Sequence, residues 1–182
     1  MHRKVVRFDA SCREDFFRVH SDANEAGWCQ CVAWWVPTWD GWGDRTAEAN
    51  RRLRDELLDR GEYDGYLLYV DGVPAGWCQV GPRDRLAKLA RQYRLEPDPT
   101  TWALSCIMIA PASRGKGLAA FLVQEGLRDL RARGVRRVEA YPKRGEGLDA
   151  ADVWTGPEPL WRSAGFQVVR DDPRRPVLAV EW

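Results

Sequence analysis

Within one long stretch, Thr101–Arg133, the spacing of hydrophobic residues changes from that of a strand to that of a helix. Trp102–Ile109 is a short apolar run that suits a buried strand, and Pro111 ends it. From Leu118 onward, apolar residues recur at the spacing of one helix face, at Ala119, Val123, Leu127 and Leu130. The stretch therefore predicts a strand, a turn and an amphipathic helix in that order.

Similar patterns predict the other elements of one domain that spans residues 1–182. Strands are expected at Val5–Phe8, Trp28–Val36, Gly65–Val70, Pro74–Val80, Val135–Tyr141, Gln167–Arg170 and Pro176–Trp182. Helices are expected at Cys12–His20, from a cap at Asp44 or Thr46 to Arg60, at Arg83–Tyr93 and at Pro157–Ala164. Asp71-Gly72 is the turn signal of a hairpin between two of the strands.

The turn between the long strand and the helix reads Arg114-Gly115-Lys116-Gly117. A turn of this kind places backbone N–H groups at the positive end of a helix dipole, where an anion such as a phosphate binds readily. The two glycines carry no Cβ that would block the approach, and the two basic side chains add positive charge. The alternative is an ordinary connection whose glycines only make the turn. These residues alone favour neither interpretation.

The spacing of the turn excludes two common phosphate-binding motifs. Gly115-Lys116-Gly117 lacks the Gly-Lys-Ser/Thr ending of a P-loop, and Ala120 stands where a dinucleotide fingerprint needs its third glycine. Arg114–Ala119 instead resembles motif A of the Gcn5-related N-acetyltransferase (GNAT) superfamily, Arg/Gln-x-x-Gly-x-Gly/Ala after a hydrophobic strand. The resemblance implies acetyl-CoA as acyl donor. It also implies these cofactor-binding residues: Ile107, Met108, Ile109, Arg114, Gly115, Lys116, Gly117, Leu118 and Ala119.

A second motif, Leu160–Phe166, resembles the closing motif of the same family, and the order of elements matches a GNAT domain over most of the chain. The implied fold class is α/β (α+β), with a mixed central sheet of about six to seven strands flanked by helices. Many members carry Tyr where this chain has Trp161, and that Tyr is often assigned as the acid that protonates the CoA thiolate. An indole does not release its proton near neutral pH. Either another group supplies the proton or the thiolate leaves unaided.

The chemistry that the resemblance implies is direct acyl transfer to a primary amine of a small molecule or a protein. An alkyl amine must first lose a proton, which costs roughly 4–5 kcal/mol at pH 7. Glu139 and Tyr141, on the strand beside the cofactor cleft, are the candidate catalytic residues for this step. The alternatives are an exposed Glu139 paired with Arg136 or Arg137, and a Tyr141 that only packs. A domain that binds an acyl-CoA or a ligand as a sensor, without turnover, is the alternative function.

Residues 24–60 form a divergent, tryptophan-rich segment on the side where the family binds its acceptor. Trp39 and Trp42 are flanked by glycine and are candidates for substrate binding. Packing in the core or in a loop is the alternative for these residues.

Composition bears on which partners the protein binds and in which compartment it works. The net charge of +1 gives little support to nucleic-acid binding, and no apolar run approaches the roughly 20 residues that a membrane span needs. The five cysteines favour reduced thiols in the cytoplasm, with Cys106 as a core thiol. No metal is expected, because Cys29-x-Cys31 is one residue shorter than the usual pair and only two histidines are present. A homodimer is left open.

Overall fold

Seven strands form one sheet in this computed structural model, which describes residues 1–23 and 27–182. In chain order they are β1 (Arg3–Arg7), β2 (Asp64–Val70), β3 (Val73–Pro82), β4 (Thr101–Ile109), β5 (Arg137–Ala140), β6 (Gln167–Arg170) and β7 (Val177–Glu181). Their spatial order is β1-β2-β3-β4-β5-β7-β6. Only β4 and β5 are parallel, and every other neighbouring pair is antiparallel. The predicted mixed sheet is confirmed.

Five α-helices flank the sheet within the described residues: α1 (Arg13–Ala23), α2 (Ala47–Asp59), α3 (Ala87–Tyr93), α4 (Leu118–Ala132) and α5 (Glu158–Ser163). Of the two predicted caps for α2, Thr46 is the one used, since its hydroxyl accepts a hydrogen bond from the N–H of Ala49 over 3.1 Å. The predicted helix at Arg83–Tyr93 divides into a 3-10 turn, Arg83–Arg85, and α3. No helix in the described part of the chain has the length and apolar character needed to cross a bilayer.

Helix α4 packs the predicted apolar face against the sheet. Leu122, Val123 and Leu130 are fully or almost fully buried there, in a core shared with β2, β3, β4 and β5. Gly126 permits a close approach, because a Cβ at that position would lie 3.1 Å from the ring of Tyr66. This packing fixes the N-terminus of α4 beside the end of β4.

Strands β4 and β5 pair over a short distance and then separate. Thr101–Leu104 pairs with Arg137–Ala140, and no pairing follows between these two described strands. Farther along β4, the N–H of Ile107 is donated instead to the carbonyl oxygen of Trp154, over 2.9 Å. The sheet is therefore split beside Ile107–Ile109.

The predicted strand Trp28–Val36 is wrong. Gly27–Cys29 is a 3-10 turn, and further turns follow it. Gln30 and Cys31 adopt left-handed backbone angles, with φ of 48° and 51°, which no strand accommodates. The pattern looked like a strand because Val32 and Trp34 are both buried, each in a different core cluster. Residues 24–26 of the tryptophan-rich segment lie outside the described residues.

Candidate active site

The glycine turn that follows β4 has an open backbone. Gly115 and Gly117 have φ of 74° and 70°, and a Cβ built at either position would meet nothing within 4 Å. Gly117 is also the N-cap of α4 and has no side chain that could accept hydrogen bonds from the first N–H groups of the helix. Because the first N–H groups of a helix have no partner inside it, this end of α4 can hold an anion close to the backbone.

The two basic side chains of the turn are held against it. Nζ of Lys116 donates a hydrogen bond to the carbonyl oxygen of Ala112 over 2.9 Å. Nε of Arg114 donates to the carbonyl oxygen of Ile109 over 3.0 Å. Both positive charges are therefore fixed beside the turn, where they add to the attraction for an anion.

One cavity of about 980 Å³ runs from the turn, past the split in the sheet, to the tryptophan-rich segment. Its turn end is lined by Arg114, Gly115, Gly117, Leu118, Ala119 and Ala120, and its middle by Ile107, Met108 and Ile109. At the far end lie Trp28, Cys29, Cys31, Trp39, Trp42, Cys106 and Trp154. The predicted cofactor residues, except Lys116, thus line the same cavity as Trp39 and Trp42.

The aromatic end of the cavity is built from paired indole rings. The rings of Trp28 and Trp42 lie 4.9 Å apart, and those of Trp39 and Trp42 lie 6.1 Å apart and nearly perpendicular. Trp39 remains 42% exposed, although its Nε1 donates a hydrogen bond to Gln92 over 2.7 Å. Trp39 therefore lies outside the core, which leaves substrate binding and packing in a loop as the alternatives for it.

A buried lysine lies against the same tryptophans. Nζ of Lys88 is 3.4 Å from the centre of the Trp39 ring and 5.1 Å from that of Trp42, and no hydrogen bond to it is found in the described chain. Burial lowers the pKa of Lys88 to about 8, and the nearby charge of Arg45 adds to this effect. Lys88 is not among the residues that line the cavity. One face of Trp39 is therefore already occupied by a cation of the chain itself.

The sequence-predicted catalytic pair lies elsewhere. Glu139 is 3% exposed and pairs with Nη1 of Arg83 over 3.1 Å and with Nη2 of Arg137 over 2.8 Å. The hydroxyl of Tyr141 donates to Glu139 over 2.6 Å, and burial raises the pKa of Tyr141. Neither residue lines the cavity. The pairing of Glu139 with Arg137 was one of the alternatives from the sequence. The exposure expected for Glu139 is wrong, because Arg83, 56 residues earlier in the chain, also pairs with it and helps to bury it.

The side chain of Trp161 is buried in the core. Its Nε1 donates a hydrogen bond to the carbonyl oxygen of Gly156 over 3.1 Å, and its ring packs against Phe166. The side chain is 1% exposed, whereas its neighbour Leu160 lines the cavity. This position therefore supplies no proton donor to the cavity.

A cluster of thiols and one imidazole lies at the aromatic end of the cavity, and the sequence did not predict it. Nε2 of His20 lies 3.4 Å from Sγ of Cys29, and Sγ of Cys31 lies 3.4 Å from Sγ of Cys106. A hydrogen bond from the Cys31 thiol, and contact with His20, lower the pKa of Cys29 to about 5 against the opposing effect of burial. Burial raises the pKa of Cys31. Only the short spacing from Cys29 to Cys31 could have signalled the cluster.

The fold and the comparison with known proteins define an acyltransferase that takes its acyl group from acetyl-CoA. The chain belongs to the acetyltransferase (GNAT) family, whose model matches residues 28–154. The family resemblance is thereby confirmed; the motif Arg114–Ala119 lies within the matched residues, and Leu160–Phe166 lies outside them. A comparison with curated proteins gives no match.

Solved structures share the fold over nearly the whole chain. A GNAT-family acetyltransferase from Desulfovibrio desulfuricans is 18% identical, with a TM-score of 0.61 and coverage of 99% of both chains. PaiA N-acetyltransferase from Thermoplasma acidophilum, in complex with coenzyme A, is 10% identical, with a TM-score of 0.58 and complete coverage of both chains. A GNAT-family acetyltransferase from Brucella melitensis, in complex with acetyl-CoA, is 14% identical, with a TM-score of 0.55 and coverage of 100% of this chain and 88% of that one.

Proposed function

We propose that the protein transfers the acyl group of acetyl-CoA directly to the primary amine of a small molecule that has an apolar or aromatic body. The observation that carries this proposal is that one continuous cavity joins the open glycine turn to the tryptophan-walled end. A donor bound at one end and an acceptor bound at the other would meet beside Ile107–Ile109. Such proximity is what a direct transfer requires.

The residues of the turn fit the charged end of acetyl-CoA. The N–H groups at the start of α4, together with Arg114 and Lys116, would hold its diphosphate, and Gly115 and Gly117 would let it reach the backbone. Ile107 already donates its N–H to Trp154, so the edge of β4 beyond it, at Met108–Ile109, would hold the pantetheine arm as an added strand. A backbone N–H of that edge would stabilise the negative charge that develops on the carbonyl oxygen. Acetyl-CoA itself supplies the reactive thioester.

The tryptophan-walled end of the cavity, where we propose that the acceptor binds, favours an amine that is uncharged when it binds. The described residues that line the cavity include no carboxylate, and most of its aromatic end is apolar. The Cys29 sulfur, in the thiol cluster at this end, is the one lining group in the described chain that could give an ammonium a negative partner, and burying an ammonium elsewhere among the indole rings would be costly. Lys88 already occupies a cation position on Trp39. An aromatic or apolar amine therefore fits better than a strongly cationic one or a charged protein tail.

Trp161 favours a second candidate, a domain that senses an acyl-CoA without turnover. The family position that often carries the acidic Tyr holds here an indole bonded to Gly156. The first candidate accommodates this feature, because a thiol pKa near 8.5 lets the thiolate leave unprotonated.

Release of free thiol from acetyl-CoA across matched pairs of alkyl and aryl amines distinguishes the two candidates. We expect thiol release to depend on the amine and to be faster with neutral aromatic amines than with polyamines at about neutral pH. Tight binding of acetyl-CoA without any amine-stimulated release would overturn the enzymatic proposal and leave the sensor. Faster release with polyamines would overturn the assignment of the acceptor class alone.

A further inference from the structure

Three potential metal ligands converge beside the cavity. Nε2 of His20 and the sulfur atoms of Cys29 and Cys31 all lie within 4.8 Å of one another. The separation between His20 and Cys29 is 3.4 Å. Two thiolates bound to a tetrahedral zinc at about 2.3 Å lie roughly 3.8 Å apart, and a thiolate and an imidazole lie somewhat closer. The three atoms therefore already stand near the separations that one metal ion imposes.

The backbone that carries the two cysteines is held in an unusual shape. Gln30 and Cys31 both have positive φ, which costs free energy at residues other than glycine. Buried or largely buried side chains donate hydrogen bonds to this segment: Asn50 to the Trp28 carbonyl, Tyr63 to the Gln30 carbonyl, Gln79 to the Cys31 carbonyl and Arg54 to the Gln30 side chain. The segment is thus preorganised by polar groups from α2, from β3 and from the residue that precedes β2.

Ordinary burial of thiols does not need this arrangement. Cys78 is 1% exposed in the core between the sheet and α4, among Tyr66, Leu68 and Leu104, as a small apolar residue would be. Cys29 and Cys31 instead face each other and an imidazole, and both line the cavity. The contrast indicates a role for the pair that packing alone does not explain.

We propose that His20, Cys29 and Cys31 form a binding site for Zn²⁺ or a similar thiophilic divalent cation, with the fourth coordination position directed to the cavity. Sulfur and imidazole ligands suit zinc and cobalt, and three protein ligands with one open position are typical of zinc sites that exchange their fourth ligand. On binding, both cysteines coordinate as thiolates, any thiol proton still present passes to solvent, and His20 coordinates as the neutral imidazole through Nε2. No electron transfer is involved.

This site goes beyond the proposed acyl transfer and does not depend on it. The ligands belong to α1 and to the segment after it, whereas the cofactor turn belongs to the connection from β4 to α4. A chain that transfers no acyl group would still bind the cation.

Cobalt spectroscopy tests the proposal. The full chain, stripped of metal with a chelator and kept reduced, is titrated with Co²⁺ without oxygen. We expect one equivalent to bind, with thiolate charge-transfer bands in the near ultraviolet and intense d–d bands typical of tetrahedral coordination, and we expect Zn²⁺ to abolish these bands. Binding without charge-transfer bands, or no binding at all, would overturn the proposal.

Variants identify the ligands. Cys29→Ser and His20→Ala should weaken Co²⁺ binding by about 100-fold or more, since even the partners of metal ligands contribute about 10–100-fold. Cys78→Ala removes a buried thiol outside the cluster and should leave binding unchanged. Cys106→Ala should also retain the charge-transfer bands, because the ligand set does not include Cys106. Equal binding by Cys29→Ser and the wild-type chain, or loss of the bands in Cys106→Ala alone, would contradict the assignment.

His20 is fully buried, so its replacement could prevent folding. Cys29 is only half-buried, which makes Cys29→Ser the decisive variant. Its far-ultraviolet circular dichroism and thermal unfolding in the absence of metal should match those of the wild-type chain. Added Zn²⁺ should raise the unfolding temperature of the wild-type chain and not that of Cys29→Ser.

Discussion

Trp161 donates its indole N–H to the carbonyl oxygen of Gly156 over 3.1 Å, and this bond joins α5 to the loop before it. The loop and the indole are in tight contact, because a Cβ at Gly156 would lie 2.2 Å from the Trp161 ring. The residue at the usual position of the family's acidic Tyr is therefore a structural element of the core in this protein.

Replacement of Trp161 by Phe should lower stability and leave catalysis largely intact. The variant leaves a buried carbonyl without its donor and a smaller ring in a packed site, which together cost about 2 kcal/mol of unfolding free energy. Denaturant unfolding measures the loss, and the turnover rate with the best amine should stay within about threefold of the wild-type rate. An about 100-fold slower turnover, with the fold retained, would instead make the indole a participant in the reaction.

A Glu at Gly117 should abolish acetyl-CoA binding. The substitution places negative charge and bulk where we propose that the diphosphate lies, and affinity should fall by at least about 100-fold as measured by calorimetry. Gly61→Glu is the matched control, since Gly61 also has a positive φ, of 65°, and open space around it, but follows α2. Both variants should lose a similar amount of stability, about 1–3 kcal/mol, through backbone strain. Unchanged affinity in Gly117→Glu would contradict the site assignment.

Glu139→Gln separates a structural from a catalytic role for the sequence-predicted base. Because Glu139 is buried between Arg83 and Arg137, we expect a loss of about 3 kcal/mol in stability and an unchanged turnover rate. Glu181→Gln is the control: it removes an exposed partner of the same Arg137 and should cost less than about 1 kcal/mol. If Glu139→Gln alone slowed turnover by about 100-fold or more, the role of catalytic base that the sequence predicts for Glu139 would be supported.

Stability should rise with pH through the titration of Lys88. The folded-state pKa of about 8 lies below the value of 10.5 for an unperturbed lysine. Between these values the unfolded chain binds a proton that the folded chain has released, so the free energy of unfolding increases with pH. The Lys88→Met variant lacks this contribution. The stability of the wild-type chain relative to the variant should therefore rise from about pH 8 to about pH 10. A flat difference would show that Lys88 keeps its usual pKa, and a falling one that folding raises it.

Sequence patterns predicted the elements whose partners lie nearby in the chain. The change of period after Pro111 located β4, the turn and α4, and Asp71-Gly72 located the hairpin of β2 and β3. These features depend on local backbone preferences and on one buried face, both of which leave a periodic trace.

Structural features that depend on residues far away in the chain leave no periodic pattern in the sequence. The apolar run at Trp28–Val36 looked like a strand, yet its carbonyls accept hydrogen bonds from side chains of Asn50, Tyr63 and Gln79 in place of a neighbouring strand. The burial of Glu139 follows from Arg83, which belongs to another element. The meeting of His20 with the two cysteines likewise arises only when α1 packs beside the turns that follow it.

The parallel pairing of β4 with β5 has a consequence for folding. Strands β2 and β3 form a hairpin, but β5 reaches its place beside β4 only after the chain has passed through α4. The turn can form from local sequence, whereas the split beside β4 exists only once the non-local pairing of β4 with β5 is made. A molecule that binds in the split would therefore select fully assembled chains, and the supply of acetyl-CoA would influence how much of the protein survives as well as how fast it works.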